Sequence, residues 1–249
     1  MASVTVVTSG QSLGSRHVPR PWSLIDFFLV ILGGVVGVLV LLPVDALLGG
    51  GDLSLLLALT GQYIGNLLVL WLLARKREEL GFAVVGSDTF YLGLGLLLQI
   101  ALSVLFLPLT SLLFPDGGSA QEVTNAINDL ESTTARLAAV LTAVVVAPIT
   151  EELTFRGVLL KTLQNRGRRT IMIVTSLMFA AFHMLGLPPD QFLASAAVVV
   201  PTIFLVGLVL AWITLRTGRL GPAIFIHSGY NLLAALVLLL PPELLEPIS

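Results

Sequence analysis

The sequence predicts an all-α fold, a polytopic transmembrane bundle of about seven helices. Three observations predict it. Of 249 residues, 56% are hydrophobic and 11% charged, with a mean hydropathy of +0.98; soluble domains carry about 25% charged residues. A membrane span needs about 20 mostly apolar residues, and seven runs qualify, at about 22–48, 53–74, 89–114, 134–165, 170–187, 192–215 and 222–240. The connections between those runs alternate between basic and acidic along the chain.

Taken in order, residues 1–20 are polar and end in Arg16, His17 and Arg20, which reads as a cytoplasmic tail. The first apolar run, from Trp22 to about Leu48, is too long for a signal-peptide core, and no small-residue cleavage site follows a short apolar stretch. Residues 21–133 form the N-terminal transmembrane helices. Between the third and fourth runs, 116–133 is polar (Asp116, Glu122, Asp129, Glu131). It reads as a loop with a short surface helix, and an eighth span hidden there would raise the count to eight. The fourth run is long enough to divide into an apolar half ending near Pro148 and a cytoplasmic half ending near Asn165. Residues 134–240 form the remaining core of a single membrane domain. Pro108, Pro148 and Pro201 mark expected kinks, and Pro148 frees a backbone carbonyl one turn before Glu151.

Loop charge sets the orientation, because cytoplasmic loops are enriched in Lys and Arg. Arg16 and Arg20, then Arg75, Lys76 and Arg77, then Arg166, Arg168 and Arg169, then Arg216 and Arg219 fall on one side. Asp45 and Asp52, the acids of 116–133, Asp190, Glu243 and Glu246 fall on the other, where Arg136 is the lone base. The expectation is an integral, multi-pass protein of the cytoplasmic membrane, N-terminus inside and C-terminus outside. A net charge of −2 gives no basic footprint for nucleic acid. The absence of cysteine removes disulfides, thiolate metal sites and a cysteine nucleophile. Gly33 with Gly37 and Gly61 with Gly65 have the spacing that lets membrane helices approach closely; packing within the bundle is the commoner use, a dimer face the rarer one.

The chemistry concentrates in VVVAPITEELTFRGVLL, where Glu151, Glu152 and Arg156 share one apolar segment. An ionisable group at membrane depth costs at least about 2.5–3.5 kcal/mol, so three together imply pairing or function. Glu152 and Arg156 are spaced i,i+4 with the acid first, the favourable order for a helical ion pair. Glu151 points about 100° away around the helix and is free to face another helix, where a carboxylate in a dry pocket makes a good general base. Phe179 and His183 lie in the fifth run, His227 and Asn231 in the seventh. At 1.5 Å per residue, Glu151 and His183 lie roughly 20 Å in from the cytoplasmic ends of their runs, and His227 and Asn231 roughly 8 and 14 Å in. These depths let the groups meet, with His183 and Glu151 matching best and sharing a water. His227 and Asn231, on one face of their helix, can donate to an oxyanion. Phe179 and Tyr230 read as packing residues. Ser176, Ser195 and Ser228 lack the glycine context of a nucleophilic serine. Polar residues also hold membrane bundles together without chemistry, but the whole set favours an intramembrane active-site cavity.

EELTFR at 151–156, FAAFH at 179–183 and HSGYN at 227–231 resemble, in order and spacing, the EExxxR, FxxxH and HxxxN motifs of the CPBP family. That family holds the type II CAAX prenyl endopeptidases and their bacteriocin-processing, self-immunity and abortive-infection relatives. The resemblance covers about 134–240; residues 1–130 carry no such motif. It implies an intramembrane endopeptidase opening towards the cytoplasm. In it, Glu151 activates water with His183 as partner, His227 and Asn231 stabilise the oxyanion, and Glu152, Arg156 and Phe179 support the site. The substrate would be a membrane-associated peptide or protein, a prenylated C-a-a-X sequence among the candidates, with the lipid bilayer as the other partner and no nucleic acid. Members are often described as metalloproteases, and Glu151, His183 and His227 could supply a zinc site. No HExxH helix is present, however, and the glutamate-activated water does not need an ion, so no cofactor is required. Two alternatives compete: a non-enzymatic scaffold or immunity-type protein in which the motifs only hold the bundle, and a proton-coupled transporter, for which the expected paired repeats are missing.

Overall fold

The computed structural model describes residues 20–75, 77–115, 124, 126–127 and 129–239. The tail read at 1–20 lies, but for Arg20, outside the described residues, as does most of the polar segment 116–133. Seven long helices make up the described fold: α1 (Leu24–Leu48), α2 (Asp52–Ala74), α3 (Phe90–Leu113), α4 (Thr133–Thr162), α5 (Arg168–His183), α6 (Phe192–Thr217) and α7 (Gly221–Leu239). The first six, with the short turns adjoining them, are long and apolar enough to cross a membrane. The 19-residue α7 carries no charged residue.

The helices associate as three pairs, α1 with α2, α3 with α7 and α5 with α6. Helix α4 packs against α1, α2, α5, α6 and α7 and is the centre of the bundle. Glycines set the closest approach. A Cβ on Gly37 would strike the Gly61 carbonyl, and one on Gly65 the Gly33 carbonyl. The small-residue pairs therefore hold α1 against α2 inside the bundle rather than forming a face for a second copy. Outward-facing Ile25, Leu39, Val104 and Leu105 are exposed, as expected of side chains that meet lipid.

Capping and ion pairs fix the helix ends. Ser23 and Asp26 form a capping box at the start of α1, satisfying backbone donors that the helix leaves open. Arg77 donates to the Asp26 carboxylate at 2.7 Å, and the Trp22 indole donates to the Glu78 carbonyl at 2.8 Å, so the chain leaving α2 is tied to the start of α1. Arg219, ahead of α7, grips Asp88, ahead of α3, through two bonds of 2.8 and 2.9 Å; this hydrogen-bonded carboxylate raises the guanidinium above its ordinary value. At the opposite end, Asp52 accepts from the amides of Glu131 and Ser132 at 3.0 and 2.7 Å and holds the start of α4 against the start of α2.

The fourth run does not divide at Pro148. It is one continuous helical rod from Thr133 to Thr162, with two widened π turns, Thr142–Val146 and Leu153–Leu159, flanking the α-helical piece Ala147–Glu152. A proline ring clashes with the carbonyl four residues back in a regular helix. The preceding π turn widens the ladder there, and the Ala147 amide bonds five residues back to Thr142. The next donor in that register would be residue 148, which as proline has none, so the Ala143 carbonyl is released from the helix. Pro108 and Pro201 lie inside unbroken helices.

Gly37→Val should destabilise the protein by about 1–3 kcal/mol, the usual range for overpacking. Gly93→Ala, whose Cβ would have nothing within 4 Å, should leave it unchanged. Thermal unfolding in detergent compares the two.

Candidate active site

The π turns of α4 bracket Glu151 and Glu152, which point in different directions and have different surroundings. The Glu152 side chain has no exposed surface. Its Oε1 accepts from Arg156 Nη1 at 3.0 Å and from His227 Nδ1 at 3.0 Å. Arg156, equally buried, also donates through Nη2 to the Gly207 carbonyl of α6 at 3.2 Å, and its guanidinium carbon lies 4.3 Å from the centre of the Phe179 ring. A buried ion pair survives only when further hydrogen bonds and good geometry offset desolvation. Here an imidazole, a carbonyl and an aromatic face supply the offset.

Phe179, fully buried on α5, is the hub of an aromatic cluster. Its ring meets His183 edge-on at 4.6 Å, Phe155 at 5.1 Å and His227 at 5.6 Å between centroids. Edge-to-face contacts of this kind add about 0.5–1.5 kcal/mol to area burial. His183, the last residue of α5, donates from Nδ1 to the Phe179 carbonyl at 2.9 Å. A carbonyl only accepts, so Nδ1 carries the hydrogen and Nε2 is the free nitrogen of the neutral ring. The same logic applies to His227, whose Nδ1 faces the Glu152 carboxylate.

Glu151 is the carboxylate that lines the cavity. Its Oε2 has no hydrogen-bond partner and lies 3.8 Å from His227 Nε2, too far for a direct bond. The sequence pairs Glu151 with His183; in the structure His227 is the imidazole at ion-pair distance, while His183 stands farther off but within Coulombic range of Glu151. The register of the helices decides this, because α7 places His227 between the two glutamates. Asn231, one turn along α7, donates from Nδ2 to the Ala143 carbonyl at 2.8 Å. That carbonyl is the one released at Pro148, so part of the Asn231 amide is used in joining α7 to α4.

A cavity of about 540 Å³ collects these groups. Glu151, Phe179, His183, His227, Tyr230 and Asn231 line it, and so do Gln62, Tyr63 and Asn66 of α2 and Gln99 of α3. The sequence reading missed this second wall. Its signal was present: two carboxamides, Gln62 and Asn66, one helical turn apart in an otherwise apolar span. Among the described lining residues there is no Lys or Arg.

The same donors bear on zinc. Among the described residues no group of three His, Asp or Glu side chains is arranged to hold a metal ion. Glu151, His183 and His227 are not gathered as a set: each imidazole keeps its Nε2 free, but His183 stands outside ion-pair distance of Glu151. The residues do not fit a metal, and no step below is routed through one.

Residues 133–233 match the family model described as Rce1-like: Type II CAAX prenyl endopeptidase Rce1-like. The match covers this stretch alone, less than half of the chain. No curated protein and no solved structure matches the chain. The matched stretch contains every one of Glu151, Glu152, Arg156, Phe179, His183, His227 and Asn231. With its apolar spans the chain is an integral membrane protein, and residues 133–233 are similar to intramembrane CAAX-type proteases.

Removing one partner of the buried pair strands the other. Arg156→Met should cost about 3–5 kcal/mol, and the double variant with Glu152→Met should lose clearly less than the sum of the single changes. Equal, additive losses in thermal unfolding would show that the pair is not coupled.

Proposed function

We propose that this chain is an endopeptidase that hydrolyses a peptide bond of a membrane-associated substrate with water activated by Glu151. The carrying observation is the 3.8 Å separation between Glu151 Oε2 and His227 Nε2 on the cavity wall. One water hydrogen-bonded at about 2.8 Å to each atom spans that separation, with both of its hydrogens directed at acceptors.

In this reading Glu151 takes a proton from the water, and the hydroxide adds to the scissile carbonyl carbon. His227, fixed by Glu152, orients the water through Nε2. The Asn231 amide hydrogen not given to Ala143 donates to the oxyanion. Glu151 then returns the proton to the leaving nitrogen as the C–N bond breaks, and His183 Nε2, facing the same cavity, assists that transfer. The products are a free carboxyl and a free amine, which balances one water against one peptide bond. Glu152, Arg156 and Phe179 are positioning residues: Glu152 and Phe179 touch the imidazoles, and Arg156 holds those two, none of them touching the reacting atoms.

A prenylated C-a-a-X peptide is a candidate substrate on the strength of the family. The basic ends of the helices, gathered where Arg77 meets Asp26 and Arg219 meets Asp88, support an orientation in the cytoplasmic membrane with that end inside and the C-terminus outside.

Glu151→Gln keeps the shape of the side chain and removes the base. Purified and reconstituted, it should lose at least about 10²-fold in kcat, the scale of a general base, while unfolding at the wild-type temperature. A Glu151→Gln protein that cleaves a farnesylated C-a-a-X peptide at the wild-type rate would end the assignment.

A further inference from the structure

We propose that Asn66 of α2 and Gln99 of α3 form a subsite for the backbone N–H groups of an extended peptide, on a wall of the cavity outside the family-matched stretch. The proposal rests on the peptidase reading above and adds how the substrate is held.

Asn66 is 5% exposed, and its Oδ1 is buried without a hydrogen-bond partner. Gly34 explains how it fits: a Cβ on Gly34 would collide with that oxygen, so the bare glycine of α1 seats the carboxamide beside the cavity. Gln99 is partly buried on α3 and offers a second such acceptor. Its Nε2 donates to Ser103 at 3.3 Å, one turn along α3, and its Oε1 is buried and unpartnered. Both residues line the 540 Å³ cavity that holds Glu151 and His227. Helix α2 packs directly on the Ala147–Glu152 piece, and Tyr63, beside Asn66 on the same wall, lies within Coulombic range of Glu151.

A buried acceptor without a donor costs about 1–3 kcal/mol, and two on residues that line one cavity suit a ligand that brings two donors. The wall is uncharged, so the donors it suits are neutral. A carboxylate offers only acceptors and is not matched by carboxamide oxygens, and no Lys or Arg in the described lining would neutralise it. Secondary amides of an extended chain fit, because successive N–H groups point to alternate sides and recur along the backbone.

The test uses full-length protein in detergent, a farnesylated heptapeptide ending in C-a-a-X, and a series of ester analogues in which one backbone N–H at a time is replaced by oxygen. Binding is read on the Glu151→Gln background, where the peptide stays intact, and turnover on the wild-type background. Asn66→Ala should weaken binding and raise KM about fivefold to tenfold, the worth of one neutral hydrogen bond, with kcat within about twofold. One ester analogue should lose the same factor against wild-type Asn66 and nothing more against Asn66→Ala. Gln99→Leu should abolish the penalty at a different ester position, and Asn66→Gln should restore part of the Asn66→Ala loss. An ester series that ranks identically in the parent and both variants overturns the subsite, as does failure of the parent to bind the peptide. Glu151-dependent cleavage without Asn66 dependence removes the subsite and leaves the peptidase. Asn66-dependent binding without cleavage removes the peptidase and leaves the subsite.

Discussion

The fold depends on one buried carboxylate. Glu152 has no exposed surface, and at membrane depth such a group is tolerated only when its charge is matched on the spot. The match comes from three helices. Arg156 of α4 and His227 of α7 both donate to the same oxygen, and Arg156 continues to the Gly207 carbonyl of α6. The carboxylate thus joins the central helix to two of its neighbours by bonds whose loss leaves a charge unpaired. Helices packed by apolar contact alone slide at little cost in lipid, which offers contacts as apolar as their own; helices tied through Glu152 cannot.

Phe179 extends the same constraint to α5. Its π face carries negative charge density and its edge positive, and the guanidinium of Arg156 sits over the face as a cation should. The ring therefore takes up part of the Arg156 charge that Glu152 does not and packs both imidazoles at fixed angles. His183 is held twice from one residue, through the Phe179 ring and the Phe179 carbonyl. An aromatic side chain that reads as ordinary packing in the sequence proves to be the contact through which the ion pair and the two histidines are arranged together.

The spans were legible because they rest on length and hydropathy, which lipid enforces: the seven runs and the seven helices agree to within a few residues at most ends. The Glu152–Arg156 pair was legible for a similar reason, since i,i+4 spacing is internal to one helix. What depends on the rotation of one helix against another was not. Glu151 and His183 match in depth, yet depth says nothing of azimuth, and α7 brings His227 closer. Gln62, Asn66 and Gln99 were unread because a carboxamide in an apolar run has no partner in its own sequence neighbourhood to reveal its use. The π turns were unread because Pro148 alone signals a kink, whereas the widened ladder before it accommodates the ring without breaking the rod.

The π turn before Pro148 and the Glu152 cluster act together on Glu151. Pro148 withholds a donor and leaves the Ala143 carbonyl open; Asn231 supplies that donor from α7. His227, one turn earlier on the same face of α7, supplies a donor to Glu152. Helix α7 is therefore fastened to α4 at two points, one on each side of Glu151 in sequence, and two points fix a helix against rotation where one would not. Glu151 lies between the fastenings with its partners already claimed by its neighbours, so its carboxylate is left facing the cavity. The two adjacent glutamates divide the work by position: Glu152, bonded twice through Oε1, holds the frame, and that pairing keeps Glu151 available.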